Sequence, residues 1–163
     1  MLRSIILGFG NPDRGDDGVA LFILDHLLSQ KKHIKSNISE TGFCNLDKNI
    51  DLWFNLQLIP EVGEILANYQ RAVFIDAHTN KIKENINISE IKPNYQNSPL
   101  THHFSPTSCL SLAQELFGSA PQSILVSIRG YQFNFTHGLS KNTKKSAIKA
   151  SELILDWLYQ SNV

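Results

Sequence analysis

Asp17, Asp76 and the adjacent pair His102 and His103 are the residues whose types and positions could do chemistry together. Asp17 follows an apolar run and its turn, Asp76 closes another such run, and the histidines stand just ahead of a helical pattern. In open α/β sheets ligands bind beyond the carboxyl ends of the strands, so polar residues placed there converge. Two carboxylates and an imidazole form a borderline-hard donor set for a divalent cation and leave coordination positions open. No thiolate joins them, which argues against a closed structural zinc site and favours an ion already partly coordinated. Viewed singly, each residue has a plainer role. Asp17 can complement a helix N-terminus, Asp76 can cap a turn, and a histidine before Ser105 can hydrogen-bond a loop. Their joint placement is what raises a site above these alternatives.

Competing chemistries are weaker. Gly8 and Gly10 fit the first two positions of a GxGxxG dinucleotide fingerprint, but Asp13 stands where the third glycine belongs. Asp13, Asp16 and Asp17 would repel a pyrophosphate at that helix start, so the acidic turn favours a cation. Ser105, Ser108 and Cys109 lie near histidines, yet no GxSxG elbow is present and Cys109 falls on the apolar stripe of its helix. HExxH is also absent. His78 and His137 read as surface or loop residues, and Trp53 and Trp157 as packing.

These groups need a framework. Ile5, Ile6 and Leu7, closed by Gly8 and Gly10, suit a central strand buried on both faces. Val19, Phe22, Ile23, His26 and Leu27 then keep helical spacing, with Asp16 and Asp17 at the start. Leu52–Leu58 is a second strand, and Pro60 opens a short helix through Leu66. Ala72–Ile75 is a third strand, ending in Asp76. The polar stretch 80–87 is a loop, and Ile88–Ile91 a weak strand terminated by Pro93. Ser105 and Pro106 begin a helix carrying Cys109, Leu112, Ala113, Leu116 and Phe117 to a stop at Gly118. Ile124–Ile128 is another buried strand, and Ala147, Ile148, Ile154, Leu155 and Leu158 mark a closing helix. The alternation predicts a three-layer α/β/α architecture with a doubly wound, mostly parallel twisted sheet.

A length of 163 residues predicts one domain over 1–163. Lys plus Arg balance Asp plus Glu at 15 each, which argues against a nucleic-acid or acidic-lipid partner. The N-terminal apolar run is too short for a signal segment, so a cytoplasmic protein, a monomer without membrane association, is expected. Cys44 and Cys109 lack metal-type spacing and read as small buried apolar residues.

The segment Leu7–Gly18 (LGFGNPDRGDDG) resembles the GxGNxxxxDDGxG signature of hydrogenase maturation proteases, with Gly8, Gly10, Asn11, Asp16, Asp17 and Gly18 all in register. Ala20 replaces the last glycine, adding one methyl inside a helix. Val73–Ala77 (VFIDA) and Thr101–Ser105 (THHFS) resemble two further family segments, and Gly138–Ser140 a late one. The resemblance implies an endopeptidase that removes the C-terminal extension of a nickel-loaded [NiFe] hydrogenase large-subunit precursor. Nickel is then carried by the substrate, with no organic cofactor. Carried over by position, Asp17, Asp76 and His102 bind the metal, while a one-residue slip selects His103. Asp17 and Asp76 are also the candidate catalytic groups. A zinc-dependent amidohydrolase of the same fold and a non-catalytic nickel-binding assembly protein remain the alternatives.

Overall fold

A computed structural model describes residues 2–31, 37–94 and 104–160. Its strands are β1 (Ser4–Phe9), β2 (Phe43–Asn45), β3 (Ile50–Asn55), β4 (Arg71–His78), β5 (Ile86–Ile91) and β6 (Gln122–Arg129). Its helices are α1 (Val19–Ser29), α2 (Ile38–Thr41), α3 (Val62–Leu66), α4 (Pro106–Phe117) and α5 (Lys141–Tyr159). A 3-10 turn, Gly15–Gly18, leads into α1.

The strands form one sheet in the order β2-β3-β1-β4-β6-β5. β1 pairs in parallel with β3 and β4, and β4 in parallel with β6, while β2 and β5 add antiparallel edges. The expected three-layer, mostly parallel α/β/α arrangement is therefore present, with β1 inside the sheet. Side chains alternate across a strand, and two cores follow from that. Ile6, Val73, Ile75, Val126 and Ile128 pack with Ile23, Leu24, Leu27 of α1 and Ala147, Ala150, Ile154 of α5. Ile5, Leu7, Ala72 and Phe74 pack on the other side with Val62 and Leu66 of α3 and Cys109, Leu110 and Ala113 of α4. A strand flanked by helices on both faces must be apolar throughout, and that is why β1 reads as an unbroken apolar run rather than an alternating one.

Several expected boundaries move. The second strand stops at Asn55, although Leu58 is still buried beyond it. β4 runs on to His78: its pairing with β1 ends at Gly8 and Ile75, but β6 continues beside it through Asp76–Ser127 and His78–Arg129. The buried face of α1 is Val19, Ala20, Ile23, Leu24, Leu27 and Leu28, whereas Phe22 and His26 are half-buried and stack on each other. Leu116, Phe117 and Ile148, placed on apolar stripes by spacing, are exposed. Each lies toward the outer side of a helix whose inner positions are already filled by neighbouring apolar residues. α2 and β2 carry too little periodicity to be foreseen, and Cys44 on β2 is only half-buried, since an edge strand of three residues covers little. Cys109 is fully buried, and burial pushes its thiol up to about 12. No helix among the described residues is long and apolar enough to cross a membrane.

Candidate active site

The site is built where β1 and β4 end. After Phe9 the chain folds back over Gly10, whose φ of 137° is a conformation that side-chain-bearing residues rarely adopt. A β-carbon on Gly10 would lie 2.2 Å from the Asp17 carbonyl oxygen, so the missing side chain is what lets the strand end touch the 3-10 turn. That contact places Asp17. Its Oδ2 accepts a hydrogen bond from the Asn11 N–H at 2.8 Å, so the carboxylate is held by the turn rather than by the free N–H groups that open α1.

Asp76 stands on β4 one position beyond the last residue paired with β1. Alternation puts it on the α3/α4 side of the sheet, in line with Ala72 and Phe74. Its Oδ1 accepts from the Ala77 N–H at 2.7 Å. Burial pushes this carboxyl up to about 6, with the Ala77 N–H pulling the other way and the charge of Asp17 adding to the rise. The two carboxylates thus act on each other electrostatically. Each has one oxygen fixed by a backbone N–H, while the other has no protein partner among the described residues. A cation beside them would relieve the desolvation of Asp76.

His102 and His103 lie outside the described residues. Among the described residues no group of three or more His, Cys, Asp or Glu side chains is placed to hold a metal ion. α4 begins three residues after His103 in sequence, and it begins as expected. Ser105 is its N-cap, accepting from the Ser108 N–H at 3.2 Å, with Pro106 behind it and Gly118 ending the helix in the left-handed conformation.

Two residues have different roles from those expected. His78 is buried: its ring bonds the Ser127 hydroxyl at 2.7 Å and the Glu84 carbonyl at 2.8 Å. The nitrogen facing Glu84 must donate, which leaves the other to accept from Ser127 in the neutral ring. His78 is therefore a latch between β4, β6 and the loop before β5. His137 is exposed as expected and pairs with Asp13 at 3.3 Å.

Asp16 has a structural role that its place at the start of a helix did not announce. Although it looks like the twin of Asp17, it is fully buried and turned away from it. Its carboxylate accepts from the backbone N–H groups of Tyr131, Gln132 and Ser140 and from the Ser140 hydroxyl, at 2.7 to 2.9 Å. Burial opposes its ionisation, but these hydrogen bonds outweigh that and hold it below the usual carboxylate range. The signal available in the sequence was the family-like Gly138–Ser140 segment, which supplies two of the four donors.

No family model matches the sequence, and no curated protein matches it. Solved structures do. A [NiFe] hydrogenase maturation protease HycI from Thermococcus kodakarensis KOD1 superposes with a TM-score of 0.65 at 22% identity, covering 97% of this chain and 93% of that one. The hydrogenase maturating endopeptidase HybD from E. coli gives 0.69 at 19%, covering 98% and 94%. A hydrogenase 2 maturation peptidase from Thaumarchaeota archaeon SCGC_AB-539-E09 gives 0.61 at 16%, covering 98% and 99%. The chain has the fold of these proteins over almost its whole length.

Proposed function

We propose that this chain is an endopeptidase of hydrogenase maturation, which removes the C-terminal extension of a [NiFe] hydrogenase large-subunit precursor once nickel has been inserted. The observation that carries this reading is the convergence of Asp17 and Asp76 near the carboxyl ends of β1 and β4, in a fold shared over almost the whole chain with structures named as hydrogenase maturation proteases. Nickel arrives as part of the substrate. Asp17 and Asp76, with His102 or His103 as the third donor, would complete its coordination and so confine cleavage to loaded precursors. An open donor set of two carboxylates and an imidazole suits an ion already held by other ligands. The raised proton affinity of Asp76 suits it to activate water as a base, a role open to it only while it is not itself bound to the metal.

Intact mass spectrometry of the cognate precursor, nickel-loaded and nickel-free, tests the reading. Shortening of the loaded form alone is expected, and Asp76→Ala should abolish it while leaving the fold intact, because no core volume is lost. Of His102→Ala and His103→Ala, the defective one identifies the third donor. Binding of the precursor without shortening of either form would replace the protease by a non-catalytic assembly protein.

A further inference from the structure

On the α1 side of the sheet, α5 concentrates positive charge. Lys141, Lys144, Lys145 and Lys149 fall within its first nine residues, and no acidic residue of the helix precedes Glu152. Glu152 pairs with Lys149 at 2.8 Å, while Lys145 is exposed and has no acidic partner among the described residues. In a chain of zero net charge this is a local excess. It borders a groove of about 400 Å³ walled by Lys145, Lys149, Asn142, Asn85, Ile86 and Tyr131.

The groove is firmly joined to Asp17. Tyr131 donates from its hydroxyl to Asn85 at 3.0 Å and lies under the Arg129 guanidinium, 5.0 Å from the ring centre. Its own N–H, and that of Gln132, are held by Asp16, the residue next to Asp17. Further backbone bonds, Gly15 N–H to Thr136 and Asp16 N–H to Gln132, bind the 131–136 loop to the same 3-10 turn. Groove wall and site turn therefore form one preorganised surface. The loop also presents Phe135, 89% exposed, to solvent.

We propose that this groove docks an extended acidic segment of the protein substrate, an inference that rests on the proposed endopeptidase function. Charge complementarity selects the occupant: lysines take its carboxylates and the Asn85 and Asn142 amides its backbone. Ile86 opens β5, the edge strand of the sheet, where an extended chain can lie alongside. A charge-lined groove joined to the site turn raises local substrate concentration and sets its approach.

The test compares wild type with Lys145→Glu, and with Lys48→Glu as a control that makes the same charge change on another exposed surface, near the opposite sheet edge. Affinity for the full-length precursor is titrated at low and high salt, alongside cleavage kinetics. Lys145→Glu should weaken binding about tenfold at low salt and raise KM by a similar factor with kcat unchanged, the gap closing at high salt. Lys48→Glu should match wild type. Equal affinities for wild type and Lys145→Glu would overturn the groove whatever the cleavage result. If wild type binds the precursor without cutting it, the endopeptidase reading fails, yet the Lys145 comparison still decides the groove. Absence of binding by wild type sinks both. A single-stranded RNA oligomer that binds more tightly than the precursor, through Lys145, would overturn the peptide as occupant.

Discussion

Asp76 is ionised against the preference of its surroundings. Its carboxyl, pushed up to about 6 by burial and by Asp17, binds its proton more tightly in the folded chain than in the unfolded one. The sign follows from linkage: the folded state loses stability as pH rises from the ordinary carboxylate range through about 6, and below that range the penalty vanishes. Replacing the charge without changing the shape should remove it. Metal-free Asp76→Asn is therefore expected to be about 1–2 kcal/mol more stable than wild type at pH 8, and equal to it near pH 4, by urea unfolding, while processing is lost. The same stability difference at both pH values would show that the carboxylate is not strained. The positions of Asp17 and Asp76, after β1 and near the carboxyl end of β4, were legible in the sequence because an apolar run giving way to polar residues marks where a strand nears its end. His78 and Asp16 were not, because their partners are distant along the chain: Ser127 is 49 residues from His78, and Tyr131 is 115 residues from Asp16.

Asp16 adds side-chain bonds to the backbone contacts that already join the 3-10 turn after β1 to the loop between β6 and α5. Four donors converge on one buried carboxylate, and removing it takes that acceptor from all of them at once. Asp16→Ala should cost about 2–4 kcal/mol in urea unfolding at neutral pH. Its lowered proton affinity fixes the pH dependence. The stability Asp16 contributes is complete above the ordinary carboxylate range and is lost as pH falls through its lower folded value, so wild type and variant should converge in acid. A constant gap down to acid pH would mean that the hydrogen bonds do not need the charge. The elements themselves were easier to read than their connections. β1, β4 and β6 are buried on both faces and α4 has a serine N-cap and a glycine stop, both local signals. β2 is three residues long and exists only because Phe43 and Cys44 find Trp53 and Leu52 on β3, a pairing that local sequence does not announce.

The two ends of β4 carry different tasks in the proposed function. At the amino end, Arg71 opens β4 opposite Ser4 of β1 and Gln122 of β6. Its guanidinium is buried, donates to the carbonyls of Trp157 at 2.8 Å and Leu158 at 3.2 Å, and lies over the Trp157 ring, fastening the last turn of α5 to the sheet. Those carbonyls are the ones a helix end leaves without internal partners, so the arginine both caps α5 and anchors it. Asp76 stands five residues further along the same strand, about 16 Å away at the rise of a parallel strand. Arg71→Met keeps an unbranched apolar stem but removes the donors, and should lower stability by about 2–4 kcal/mol. Processing of nickel-loaded precursor per folded molecule should stay at the wild-type rate below the unfolding transition. Asp76→Asn is expected to do the reverse, and over that separation, with no shared partner, the stability changes in the double variant should add. A processing defect in Arg71→Met, measured where the variant is fully folded, would mean that α5 transmits strain across the sheet to the site; a purely thermal phenotype would place stability at one end of β4 and chemistry at the other.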